Sequence, residues 1–486
     1  MLFIGVDLGT SSVKLLLMDE EGTVVNTVTK EYPLKFPKTG WAEQDPEDWY
    51  AQTVAGIREL VRENDREQVA GLSFGGQMHG LVVLDAEDRV IRPAILWNDG
   101  RSQKESQYLN QVIGEDVLAK YTGNISFAGF TASKILWLKK HEPENFHKIK
   151  KLMLPKDYLA YRFTGVHATD VSDASGMLLL DVKSRAWSKE MCNICHISES
   201  ILPALYESYE CIGTLTKEAA KDLQLPAFVK VAAGAGDNAA AAIATGTVGD
   251  GKCNVSLGTS GTIFISADQF HPVSNHALHS FCDAAGSYHL MGCMLSAASC
   301  NKWWMDDILH TKDYEAEQSR ISRLGQNKVY YLPYLMGERS PHNDPDIRAA
   351  FLNMSMDTTR EDMTQAVLEG VAFGLRDSLE IAKEAGITVA STRLCGGGAK
   401  SQLWRQIIAN VLQIPVEILE QEEGPSLGAA ILAAVCCGVF TNVQEGAKHI
   451  VKIKEVLTPK DEWMQRYDEK YDTFRKIYPI YRQLDL

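Results

Sequence analysis

The chain reads as an α/β protein built of two related halves with a cleft between them. Three observations predict this. Short apolar runs alternate throughout with longer stretches of helical periodicity, the pattern of sheets covered by helices. The 486 residues are too many for one core, since chains beyond ~250–300 residues usually split into domains. Finally, Phe3-Ile4-Gly5-Val6-Asp7-Leu8-Gly9-Thr10-Ser11-Ser12-Val13-Lys14 has an echo in Asn254-Val255-Ser256-Leu257-Gly258-Thr259-Ser260-Gly261-Thr262-Ile263. Each is an apolar strand, then Leu-Gly-Thr-Ser, then another apolar strand, which points to duplication.

The elements follow in order. In the first copy the return strand is Val13 to Met18, the turn Asp19-Glu20-Glu21-Gly22 follows, and a third strand starts at Thr23. The run Val229–Ala233 is a strand that ends in small residues, and Ala239–Ala244 continues it as a helix. The Gly-rich stretch Gly246–Gly251 breaks the pattern and sets the boundary, giving lobes 1–246 and 247–486. Leu394 leads into Gly396-Gly397-Gly398, and an amphipathic helix with Leu403, Ile407 and Val411 follows. The apolar stretch Leu427–Phe440 falls short of the ~20 residues of a membrane span and is expected to be a buried helix.

Composition narrows the class. Lys and Arg number 49 against 63 Asp and Glu, a net charge of −14. Such a surface repels nucleic acid and anionic lipid, so neither is expected as a partner. A nest of backbone N–H groups still binds a small anion. The N-terminus shows no export signal, and ten cysteines are too sparse for a disulfide scaffold. Reduced thiols and a cytoplasmic location are expected. Cys192-Asn193-Ile194-Cys195-His196 has the spacing of a c-type haem attachment, but that chemistry needs export, so a piece of amphipathic helix is the expectation.

The two Leu-Gly-Thr-Ser turns are the first chemical signal. Gly9, Thr10 and Ser11, with Lys14 close behind, and Gly258 and Thr259 in the second copy offer free amides and hydroxyls to phosphate oxygens. One such turn is an ordinary hairpin; two, each heading a half, point to a polyphosphate. Asp7 of the first copy is Ser256 in the second. A carboxylate beside a phosphate nest suits Mg²⁺ held partly through water, so Asp7 is the candidate metal residue. The flat floor Gly397 and Gly398, with Ser401, is a candidate adenosine pocket, and ATP with Mg²⁺ is the implied cofactor pair.

The second signal is Gly234-Ala235-Gly236-Asp237-Asn238. Asp237 falls at a helix start, where the dipole favours its anion, and the glycine pair is read as clearing space around it. It is the candidate general base. The segment fits G-x-G-x-x-A only weakly, without the later acidic residue of a dinucleotide site, and no Walker A sequence occurs. Polar groups at strand ends, Gln77-Met78-His79 and Trp97-Asn98-Asp99, are candidates to read a small polar substrate, with Asp237 and Asn238.

These pieces together resemble the FGGY carbohydrate kinases over essentially the whole length. Gly129-Phe130-Thr131-Ala132-Ser133-Lys134-Ile135-Leu136-Trp137 is similar to the first signature of the family, and Ala349-Ala350-Phe351 through Glu369 to its second. Asn353 stands where that signature usually has Gly, in a turn where Asn tolerates positive φ. The resemblance implies two ribonuclease-H-like (actin-like ATPase) lobes with an active-site cleft between them. It implies that the first lobe binds sugar and carries the base, and that the second binds the nucleotide. By resemblance the Asp7–Ser11 and Leu257–Gly261 turns are phosphate loops, Gly396–Gly398 is the adenosine loop and Asp237 is the base. Gln77-Met78-His79-Gly80 is similar to the substrate loop of members that phosphorylate D-xylulose; glycerol-specific members carry an Arg-Glu pair there. Leu154-Pro155-Lys156-Asp157-Tyr158 and Pro333–Arg339 resemble the same branch. The implied activity is ATP-dependent phosphorylation of D-xylulose, in a soluble enzyme compatible with a homodimer. Two alternatives stay open: another ketose or polyol such as ribulose, gluconate or glycerol, and an actin-like ATP-driven switch.

Overall fold

A computed structural model of the chain describes residues 1–484. The first sheet has seven strands. Leu2–Leu8, Ser12–Asp19 and Val24–Glu31 form an antiparallel meander. Val69–Gly76 then pairs parallel to Leu2–Leu8, Lys230–Ala232 pairs parallel to Val69–Gly76, and Cys211–Thr214 closes the edge antiparallel. The short strand Ala235–Gly236 also pairs parallel to Val69–Gly76.

The second sheet repeats this plan. Cys253–Leu257, Gly261–Ala267 and Tyr288–Met294 form the meander. Thr392–Cys395 lies parallel to Cys253–Leu257, Val416–Leu419 lies parallel to Thr392–Cys395, and Ile453–Leu457 closes the edge antiparallel. One extra strand, His279–Cys282, extends the meander side. Order and direction match strand for strand, so the duplication read from four shared residues extends through both sheets. This is the two-lobed ribonuclease-H-like architecture that the sequence implies.

The strand Leu2–Leu8 is apolar on both faces, apart from Asp7 at its end, because both faces are covered. Ile4, Val6 and Leu8 join Trp49 and Ile57 in one core. Those two project from the helix Pro46–Leu60, which starts at Asp45, whose carboxylate accepts the Glu47 N–H at 3.0 Å, with Pro46 at the first helical position. Phe3, on the other face, meets the helices Asp237–Ala244 and Pro425–Cys436.

That second helix belongs in sequence to the second half, yet it lies on the first sheet. A division at 246/247 therefore separates the sheets but not the cores. The stretch Leu427–Phe440 is the buried helix expected, though it stops at Cys436. Among the described residues no helix is long and apolar enough to cross a membrane. Its close approach depends on glycine. A Cβ on Gly5 would stand 1.8 Å from the Ser426 carbonyl oxygen, and one on Gly428 would stand 1.9 Å from that of Ala240. Both obstacles are backbone, which cannot swing away.

Smaller expectations also meet their outcome here. Cys192 and Cys195 are buried and unpaired, with Cys192 in a short helix, Lys189–Ile194. Asn353 has φ 62°, the conformation that glycine otherwise supplies.

Gly428→Val should force the two helices apart. Overpacking costs ~1–3 kcal/mol, and in a domain of 150–250 residues each kcal/mol is worth ~2–4 °C, so thermal denaturation should show a loss of about 5 °C. Gly397→Val is the control, because a Cβ there meets nothing within 4 Å and Tm should stay put.

Candidate active site

Register brings the sequence-distant candidates together. Asp7 stands opposite Gly75, and Gly75 opposite Ala235; Leu8 stands opposite Gly76, and Gly76 opposite Gly236. The next residues along the last two strands are Gln77 and Asp237. One edge of the first sheet therefore presents Asp7, the loop Gln77–His79 and Asp237 side by side.

The first turn has its carbonyls tied from behind. Gly9 O accepts from the Tyr32 hydroxyl and from Gln77 Nε2 at 3.3 Å, and Thr10 O accepts from Gln44 Nε2 at 2.6 Å. The amides of Thr10 and Ser11 donate to no protein acceptor among the described residues. The second turn repeats the arrangement. Gly258 O accepts from Ala298 N at 2.9 Å, Thr259 O accepts from Ala297 N at 3.0 Å, and the Thr259 and Ser260 amides are free among the described residues. Two nests of unspent N–H groups thus face the cleft. Lys14 is less free than expected: its Nζ donates to Glu423 O at 2.8 Å and to Glu423 Oε2 at 2.7 Å.

Asp7 and Asp237 are half-buried, and the Asp237 charge acts on Asp7. Burial, then the Asp237 charge, pushes the Asp7 carboxyl up to about 7 against the pull of Lys14. Burial lifts Asp237 to about 6, opposed by the Asn238 amide, which donates to Oδ1 at 2.7 Å. The net shift is thus upward, where the helix-dipole argument expected a stabilised anion; Asp237 is nonetheless ionised at neutral pH. Asn238 Nδ2 also donates to Oδ1 at 3.1 Å, while Oδ2 accepts from nothing among the described residues. The glycines before it serve another purpose than the one read from the sequence. A Cβ on Gly234 would meet Phe74 O at 2.6 Å, and one on Gly236 would meet Met78 Sδ at 3.0 Å. They seat the turn against the sheet and the Gln77–His79 loop rather than clear space around the carboxylate.

In that loop the three residues differ. Gln77 is buried, spends its amide N–H on Gly9 O and on Gln44 Oε1 at 3.1 Å, and leaves Oε1 without a partner among the described residues. Met78 is buried against Gly236 and Asn238. His79 stacks on Phe130 with ring centroids 4.6 Å apart, and Gly176 O accepts from its Nδ1 at 2.7 Å. Burial, with the nearby Lys134 charge, lowers its pKa to about 3, so the ring is neutral and Nε2 is an acceptor. Trp97 is 48% exposed on the cleft wall, and its Nε1 donates to Thr10 Oγ1 at 3.0 Å.

Phe127 carried no signal in the sequence, and Arg339 only as the last residue of the resembling segment Pro333–Arg339. Phe127 packs beside Phe130, and the Arg339 guanidinium of the second half lies 4.2 Å above the Phe127 ring. Among the described residues Arg339 has no ion-pair partner.

The second half contributes a cavity of about 1250 Å³, ample for a nucleotide. Gly258 and Thr259 line one end, and Gly397, Gly398 and Ser401 line the floor. Ser401 Oγ donates to Gln318 Oε1 at 2.6 Å. Gln318 Nε2 and Asn301 Oδ1, both on the cavity, are buried without partners among the described residues. A donor and an acceptor left open in this way suit the edge of a base.

Known proteins resemble the chain over nearly its whole length. A family model described as the N-terminal domain of the FGGY family of carbohydrate kinases matches residues 2–244, and the corresponding C-terminal model matches residues 253–437. A xylulose kinase of Escherichia coli (strain K12) is 39% identical over 98% of both chains. One of Bacillus subtilis (strain 168) is 38% identical over 99% of this chain and 97% of its own. A crystal structure of a xyloylose kinase from Brucella ovis superposes with a TM-score of 0.94 at 38% identity, over all of both chains.

Gly258→Val should leave the fold intact, since a Cβ there is 3.4 Å from its nearest neighbour, Ser260 O. It should obstruct the turn, and losing one bond to a charged oxygen is worth ~1.5–3 kcal/mol, so calorimetry should show ATP binding weakened ~10-fold or more. Unchanged affinity in a folded variant removes the turn from the site.

Proposed function

The chain belongs to the FGGY family of carbohydrate kinases, and from that premise we propose that it transfers the γ-phosphoryl group of ATP to the C5 hydroxyl of D-xylulose, giving ADP and D-xylulose 5-phosphate. The observation that carries the reading is the position of Asp237, at the sheet edge where the first phosphate turn and the His79 loop meet. Several relatives at 36–39% identity over nearly the full length are xylulose kinases, which supports the choice of sugar.

Asp237 Oδ2 takes the proton of the attacking hydroxyl as its oxygen bonds to the γ-phosphorus and the bond to ADP breaks. Asn238 holds the other oxygen in place. His79 Nε2 accepts from a second sugar hydroxyl, because Nδ1 is committed to Gly176. Met78 and Trp97 form the walls. The turn amides, Lys14 and the Gly397–Ser401 floor hold the nucleotide. Asp7 fits a divalent cation: its carboxylate stands in the field of a second carboxylate, and its one cationic neighbour is shared with Glu423. Mg²⁺ held there, directly or through water, would neutralise charge on the nucleotide phosphates. Ten unpaired cysteines and the need for ATP support a cytoplasmic location.

Asp237→Asn keeps the shape and cannot accept the proton. Turnover should fall ~10²–10⁴-fold, while ATP and sugar still bind. Tm should hold or rise, because a half-buried charge is removed. Wild-type kcat in a stable variant would sink the mechanism. ADP release measured on D-xylulose, D-ribulose, gluconate and glycerol should show dominance of the first, and rapid release without any sugar would mark a switch instead. His79→Ala should depress activity on D-xylulose and leave the KM for ATP near normal; undiminished preference for D-xylulose over glycerol would place the sugar-reading groups elsewhere.

A further inference from the structure

The segment Leu154-Pro155-Lys156-Asp157-Tyr158 has no part in the reaction as described, yet its lysine is fully buried. A buried ammonium demands compensation. Lys156 Nζ lies 2.7 Å from Asp157 Oδ1, 2.8 Å from Asp170 Oδ1 and 3.7 Å from Asp173 Oδ2. Three acids exceed what one ammonium can balance. Burial pushes the Asp173 carboxyl well above the usual range, and neither of its oxygens has a hydrogen-bond partner among the described residues. Asp170 carries the link outward.

From Asp170, bonds run to the turn that presents the base. Its Oδ2 accepts from the Ser172 amide at 2.8 Å, from the Ser172 hydroxyl, and from the Ser208 hydroxyl at 2.7 Å. Ser172 Oγ in turn accepts from the Gly236 amide at 3.2 Å, one residue before Asp237. Ser208 O accepts from the Gly234 amide at 3.0 Å, and Lys156 itself donates to Ala233 O at 3.4 Å. On its other side the lysine stem supports the substrate loop. A Cβ on Gly76 would stand 2.7 Å from Lys156 Cβ, and Gln77 follows. Apolar residues of equal volume would hold a core at no greater cost than such a cluster. What the cluster adds is direction.

We propose that Lys156, acting through Asp170 and Ser172, is a positioning residue that fixes Asp237 relative to the Gln77–His79 loop. This rests on Asp237 being the base, so the experiment separates the two. Ser172→Ala removes the hydroxyl that joins Asp170 to the Gly236 amide and leaves the lysine and its acids in place. Displacing a reacting group by ~1 Å costs ~10²-fold, so kcat on D-xylulose should fall about 10- to 100-fold with the KM for ATP unchanged. Ser172→Thr, which keeps the hydroxyl, should recover most of that loss. Lys156→Met should lower kcat and raise the KM for D-xylulose together; if it is insoluble, the Ser172 pair decides alone. Asp237→Asn is assayed in parallel. Full activity there overturns the base. An inactive Asp237→Asn beside a Ser172→Ala enzyme with wild-type kcat, or a loss that Ser172→Thr does not restore, overturns the positioning role.

Discussion

The arrangement of the site depends on one crossing, that of the helix Pro425–Cys436 over the first sheet and against the helix headed by Asp237. Backbones approach there at distances no side chain would permit, with Gly5 under Ser426 and Gly428 on Ala240. Dispersion falls steeply with separation, so close packing of this kind resists sliding. The helix comes from the second half and touches the helix headed by Asp237. The two halves thereby share a common reference, although their sheets are separate.

Around that reference the duplicated turns divide the work. Each has its carbonyls bound from behind and its amides open to the cleft. They differ where the first has Asp7 and the second Ser256, so only the first turn follows a strand-end carboxylate. There two carboxyl groups share a poorly solvated edge, and each is harder to ionise than in water. The same loss of solvent strengthens every interaction with a phosphate group that enters.

Much of this was legible in the sequence because the signals are local. Leu-Gly-Thr-Ser between two apolar runs specifies a strand, a nest and a strand wherever it occurs, and both copies form them. Asp237 stood out because a glycine pair precedes it at a helix start, and register sets it beside Asp7 and the Gln77–His79 loop. The glycines beside it were misread in purpose: from the chain alone one sees room, and only the register shows that Phe74 and Met78 fill it. Gln77 bonds to the first turn as well as belonging to the His79 loop for the same reason. Phe127 and Glu423 were invisible, and Arg339 showed only as part of a resembling segment, since each acquires its contact only from a partner in the opposite half. Likewise, Lys156 stood in a resembling motif, but the sequence does not show that Asp170 and Ser172 stand next to it.

The pairing of Lys14 with Glu423 makes the protein its own competitor. If Lys14 serves the polyphosphate as proposed, an arriving nucleotide must first evict a carboxylate that the chain already supplies. Binding then becomes an exchange of one anion for another. Half-exposed pairs of this sort are worth ~0.2–1 kcal/mol, so the toll on affinity is no more than about fivefold. The return comes at the end of the cycle. When the bonds to the departing diphosphate loosen, a tethered anion stands ready to recapture the ammonium, which favours release. Glu423 stands two residues before the crossing helix, so this ion pair spans the place where the two halves meet.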